Sequence, residues 1–289
     1  MTGSRRAYAL RWAATACSVL AAAGSTAQVP AQMPVPVPPT DRRSGFDFMQ
    51  PATQAMQRDD VANPGMLSVA DGERLWSLAV GNAGKSCADC HGNARHSMRG
   101  VAVRLPAWDR RLERPTDLQQ RVNACRESRQ GAAPWPWEDA QLLAVTAFVA
   151  NQSRGMPITP DTDPRLEAAR ERGARLYRQR IGQLDFSCGD CHDSNAGRRL
   201  GGSVIPQAHP TGYPLYRLEW QALGSLQRRL RACMTGVRAE PFGYGSPELV
   251  DFHAAADFVS VLDTDPPQGQ IVFSQPVGVD QFQGQRNGP

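Results

Sequence analysis

The chain has 289 residues, 41% hydrophobic and 21% charged, with a formal net charge of +4. That length suits two modest domains. No basic run stands out beyond local arginine clusters, which excludes a nucleic-acid-binding protein.

In chain order, the first element is an export signal. Arg5, Arg6 and Arg11 precede the short apolar run WAATACSVLAAAG, and small residues follow at STA, Ser25 to Ala27. This is the pattern of a cleavable signal peptide over residues 1–27, with no membrane span because the run is too short. SRRAY carries only part of a twin-arginine motif, so it does not decide between the two export routes. ATAC lacks the leucine of a lipobox, so Cys17 is expected to leave with the signal. Cleavage removes three positive charges and leaves a net charge of about +1. The mature chain is expected in the periplasm. VPAQMPVPVPPT, Val29 to Thr40, is proline-rich and reads as extended leader within an N-terminal extension over 28–67.

Seven cysteines follow an unusual distribution. An exported protein would normally pair them as disulfides. Four instead lie in CADCH, Cys87 to His91, and CGDCH, Cys188 to His192. C-x-x-C-H is the attachment pattern of c-type haem. Cys87 and Cys90, like Cys188 and Cys191, would form thioethers, and His91 and His192 would ligate iron. A zinc site would need a second cysteine pair or spaced histidines, and a thioredoxin-like site a βαβ context. Neither is present, so two covalently bound c-type haems are expected.

The motifs lie in two copies of one unit. GERLW, Gly72 to Trp76, precedes the first, and GARLY, Gly173 to Tyr177, the second. Each glycine stands fifteen residues before its motif's first cysteine. LQQRVNACRES from Leu118 matches LQRRLRACMTG from Leu226. APWPWEDAQLLAVTAFVANQ parallels EPFGYGSPELVDFHAAADFVSVL. A single internal repeat of this length argues for duplicated domains rather than a solenoid. GERLWSLAV and GARLYRQRI are predicted first helices, and DAQLLAVTAFVA and ELVDFHAAADFVSVL final helices. The predicted fold is mainly α: two tandem class I cytochrome c-like domains related by internal duplication. They occupy 68–155 for haem 1 and 165–263 for haem 2. The join falls near RGMPITPDTDPR, and a tail covers 264–289.

Each iron needs a sixth ligand or an open site. Leu118, Val122 and Cys125 share one helix face, as do Leu226, Leu230 and Cys233. The late cysteine recurs in both copies, whereas the next residue differs, Arg126 against Met234. The repeat therefore selects Cys125 and Cys233, and an anionic thiolate favours ferric iron and low potentials. Met234 stands as a rival for the second haem, and His96, His209 and His253 are further candidates. Arg229 lies four residues before Cys233 on the same face, and Arg238 adds to the positive field as a further candidate substrate-binding residue. Such a field favours a thiolate. Arg121 holds the matching place before Cys125, so an arginine–cysteine pair alone does not identify which site reacts.

Residues Ala70 to Leu262 resemble the SoxA family, the haem-bearing subunits of SoxAX cytochromes in bacterial thiosulfate oxidation. The resemblance is carried by SCADCHG, MRGVAVRLPAWD, LQQRVNACRES and the stretch from Gly182 to Leu249. It implies an L-cysteine S-thiosulfotransferase, an enzyme that transfers a sulfur-containing group. Such an enzyme joins thiosulfate to a cysteine of the carrier SoxY within SoxYZ and passes two electrons to a c-type cytochrome acceptor. It also implies a heterodimer with a SoxX-like cytochrome c subunit. The resemblance makes Cys233, as ligand and persulfide, the reactive residue, and Arg229 a substrate-binding residue. The alternative is a dihaem electron-transfer cytochrome without transferase chemistry.

Overall fold

The structure is a computed structural model and describes residues 43–261 and 278–280. The expected signal peptide, most of the proline-rich extension and most of the tail lie outside the described residues.

After α1 (Pro51–Arg58), the first half runs α2 (Gly65–Trp76), α3 (Cys87–His91) and α4 (Ala94–Ser97). A hairpin of β1 (Ala107–Asp109) and β2 (Arg114–Thr116) follows, then α5 (Leu118–Cys125) and α6 (Ala140–Asn151). The second half repeats it: α7 (Glu167–Arg178), α8 (Cys188–His192), a short β3 (Arg199–Leu200) and β4 (Ser203–Val204). Then come β5 (Leu215–Arg217), β6 (Ala222–Gly224), α9 (Leu226–Gly236) and α10 (Pro247–Val261). The fold is the expected mainly helical duplication of a cytochrome c-like unit. In the tail, β7 (Gly278–Asp280) pairs in parallel with β5.

The first and last helices of each half cross at a glycine. A Cβ on Gly72 would lie 2.1 Å from the Ala144 carbonyl oxygen, and one on Gly173 2.0 Å from that of Asp251. No side chain fits there, which explains the glycine in GERLW and GARLY. The helix α2 begins earlier than the sequence suggests and stops at Trp76, because the chain reverses to bridge Val80 with Lys85. Ile181 and Phe186 form the same bridge in the second half. Gly81 and Gly182 hold positive φ in these turns, each pressed against a backbone carbonyl, Gln130 or Val237.

Two features are not evident from the repeat's helical pattern. The first is the paired hairpins. Ala107 faces Thr116 and Asp109 faces Arg114, while Leu215 faces Gly224 and Arg217 faces Ala222. Each opens on a cis prolyl bond, Leu105–Pro106 or Tyr213–Pro214. The second is a π turn over Arg126–Gln130, directly after Cys125, where α9 continues as plain helix. One residue more separates Cys125 from the left-handed Gly131 than Cys233 from the left-handed Arg238. A π turn absorbs one extra residue.

The hairpins are exchanged between halves. β6 lies against α2 and α6 of the first half, and β2 against α10 of the second. Leu223 of β6 joins the core of Val69, Trp76, Val145 and Phe148. That core surrounds α6, which is apolar on nearly every face and buried from Leu142 to Val149, as a helix covered on all sides must be.

Candidate haem centres

Each C-x-x-C-H segment is one short helix held by a reciprocal cap. Ser86 Oγ accepts from Asp89 N at 3.1 Å, and Ser86 N donates to the Asp89 carboxylate at 2.7 Å. Ser187 and Asp190 repeat this at 3.1 and 2.8 Å. The serine before the motif and the aspartate inside it thus nucleate a single turn. Cysteines three apart and the adjacent histidine then share one side of that turn. All six described cysteines are free thiols.

In the first half, Trp76 packs against His91 with ring centroids 5.7 Å apart, and its Nε1 donates to the Gly92 carbonyl at 3.0 Å. Burial pushes the Cys87 thiol up, and the neighbouring Cys125 adds to this, so α5 brings Cys125 to the motif. Gln130 Nε2, on the π turn, donates to the Lys85 carbonyl at 3.0 Å. Arg121 forms an ion pair with the buried carboxylate of Asp109.

In the second half, His192 Nδ1 lies 2.8 Å from the Pro206 carbonyl oxygen. Nδ1 therefore donates, and Nε2 is left for the Cys233 sulfur, to which the ring is hydrogen-bonded. Burial alone would raise the Cys233 thiol. The His192 hydrogen bond and the charges of Arg229, His192 and Arg217 outweigh it, and the thiol is held below its ordinary value. Burial pushes Cys188 and Cys191 the other way. Tyr177, at the place of Trp76, donates to Asp193 at 2.6 Å.

These donors fit a c-type haem: two free thiols three residues apart, an imidazole oriented by a carbonyl at its far nitrogen, and a sulfur facing the near one. Cys188, Cys191, His192, Cys233 and Arg229 come together, and Cys87 comes together with Cys125. Arg238 stands elsewhere. It takes the left-handed position after α9, its carbonyl accepts from Gln183 N at 3.3 Å, and it lines a cleft with Arg180 and the buried Met234. His96 is exposed on α4, His209 sits 3.2 Å from Gln207 Oε1, and His253 lies beside Asp117. A further cation acting on Cys233 is Arg217, which sequence reasoning missed. Its place becomes visible only with the hairpins, in which PAWD and PLYR occupy matching strands.

A family model described as SoxA/TsdA, cytochrome c domain, matches residues 71–158. The L-cysteine S-thiosulfotransferase subunit SoxA of Rhodovulum sulfidophilum is 35% identical over 227 residues, covering 77% of this chain and 79% of that protein. The protein of the same name from Pseudaminobacter salicylatoxidans is 36% identical over 208 residues, covering 72% and 73%. Among solved structures, SoxXA from P. pantotrophus matches with a TM-score of 0.77 at 30% identity, over 83% of this chain and 87% of that chain.

Proposed function

The chain belongs to the SoxA family, and on that premise we propose that it is the catalytic haem subunit of an L-cysteine S-thiosulfotransferase acting on thiosulfate. Thiosulfate and the thiol of a SoxY cysteine, within SoxYZ, become a cysteine S-thiosulfonate with a new S–S bond. One proton and two electrons are released, and the electrons pass to a c-type cytochrome. The domains are 68–155 and 165–263, each carrying one haem. Cys87, Cys90, His91 and Cys125 hold the first, and Cys188, Cys191, His192 and Cys233 the second. When bound, each haem supplies a one-electron carrier.

This chain's own residues prepare the second site. The Pro206 carbonyl fixes the His192 ring. Arg229 favours the anionic form of the Cys233 sulfur, which is the nucleophilic form. Arg229, always charged and forked, suits the sulfonate end of thiosulfate. The family's persulfide falls on Cys233. A SoxX-like cytochrome c subunit completes a heterodimer, and the signal over 1–27 directs the chain to the periplasm. No described helix is long and apolar enough to cross a membrane.

The observation that carries this reading is the convergence of Cys188, His192 and Arg229 on Cys233. Cys233→Ala, assembled with its partner subunit, is expected to abolish conjugation of thiosulfate to SoxY while haem stays attached through Cys188 and Cys191. Normal conjugation by that variant, or a wild-type complex that only transfers electrons, would refute it. Mass spectrometry of the Cys233 peptide should show about 32 Da of added sulfur, the mark of a persulfide.

A further inference from the structure

The two halves hold the far ends of their motif helices in different ways. Three matching positions change together: Trp76, Ala88 and Gly92 in the first half are Tyr177, Gly189 and Asp193 in the second. Trp76 packs on His91 and donates to the Gly92 carbonyl, a backbone contact that needs no side chain at residue 92. Tyr177 donates instead to the Asp193 side chain at 2.6 Å. Gly189 leaves room for that carboxylate. A Cβ there would lie 3.0 Å from Asp193 Oδ2 and 3.5 Å from the Tyr177 ring. At the same place in the first half, Ala88 packs against the core.

We propose that Tyr177 and Asp193 are positioning residues for His192, a phenol–carboxylate clamp that ties the turn bearing the second iron's histidine to α7. This rests on the functional reading above, in which His192 ligates that iron.

Three observations support the clamp. Asp193 follows His192 directly, and its N–H donates to the Gly189 carbonyl at 3.0 Å, so the residue is held by its backbone and its side chain together. The backbone also permits a side chain at this place. Asp193 has φ −101°, whereas Gly92 is left-handed at 64°. Burial and the neighbouring Asp193 both push the Tyr177 phenol up, so the O–H stays protonated and donates. The Pro206 carbonyl fixes the His192 ring, and the clamp fixes the chain that carries the ring. Hydrogen bonds behind a metal-ligating histidine orient the ligand and tune the metal. The clamp also sets a carboxylate next to His192, where the first half has glycine. A negative charge there favours the ferric state.

The test uses the holo complex with its partner subunit, in a redox titration followed by electron paramagnetic resonance, which resolves the haems. Tyr177→Phe keeps the ring and removes only the O–H. The signal and potential of the second haem should shift while those of the first stay in place. Conjugation kcat should fall about tenfold, as for other lost partners of a metal ligand, with little change in the thiosulfate KM. Asp193→Asn keeps an acceptor and removes the charge, so it should raise the potential of the second haem alone. An unchanged second-haem signal and kcat in Tyr177→Phe overturns the proposal. So does an equal shift at both haems, which would mark a general loss of packing. Either result leaves the functional reading intact where wild type conjugates thiosulfate. A shift confined to the second haem in Tyr177→Phe, with a wild type that does not conjugate thiosulfate, overturns the functional reading alone.

Discussion

At the scale of single residues, one charge exchange distinguishes two otherwise parallel sites. Asp109 is nearly enclosed, and burial by itself would raise its carboxyl. The backbone N–H groups of Leu112 and Arg111, at 3.1 and 2.8 Å, and the Arg121 guanidinium outweigh this and hold it below the usual carboxylate range. A depressed folded pKa stabilises the fold at pH above the unfolded value, about 3.9, and that contribution is lost as pH falls through the folded value. Wild type should therefore lose more stability between pH 7 and pH 3 than Asp109→Asn, measured by denaturant unfolding at each pH. Equal losses would mean the carboxylate is not held as described. Arg217, at the corresponding place, is ion-paired with Glu219 at 2.9 Å.

At the scale of elements, the halves depend on two close approaches. The helix crossings at Gly72 and Gly173 leave no room for a methyl group. Gly173→Ala forces α7 away from the Asp251 carbonyl and should cost about 3 kcal/mol, the upper part of the usual overpacking range. For a chain of this size that corresponds to a fall in Tm of roughly 6–12 °C. A fall of less than a degree would show that the helices separate freely. The motif helices α3 and α8 are too short to persist alone. Their Ser–Asp caps explain how five residues keep two cysteines and a histidine aligned for attachment.

At the scale of the molecule, the two halves are joined through buried polar bonds as well as by the exchanged hairpins. Gln227 Nε2 donates to the Asp117 carboxylate at 2.7 Å, and Gln227 Oε1 accepts from Gly245 N at 2.7 Å. Gln120 Nε2 donates to the Gly245 carbonyl at 3.1 Å, and Trp137 stacks on Tyr244. The holo protein should unfold in one thermal transition. Gln227→Leu leaves the Asp117 carboxylate and the Gly245 N–H short of a partner and should cost about 3 kcal/mol in total. Calorimetry showing two separate transitions in wild type would contradict this coupling.

The cysteine motifs, the glycine spacing and the twin cysteines at 125 and 233 were legible in the sequence. Such motifs are local in the chain, and duplication writes each local pattern twice. The hairpins were not legible, because three-residue strands carry too little alternation to show a period. The π turn depends on a one-residue difference in length that becomes visible only when both halves are superposed. Gln227 meeting Asp117, and Arg217 meeting the Cys233 site, join residues that sequence proximity does not connect. The sequence by itself determined a duplicated helical cytochrome with a reactive-cysteine family resemblance. Only the tertiary structure decided which arginines converge on Cys233, because Asp109 and Arg217 become comparable once their strands occupy the same place in space.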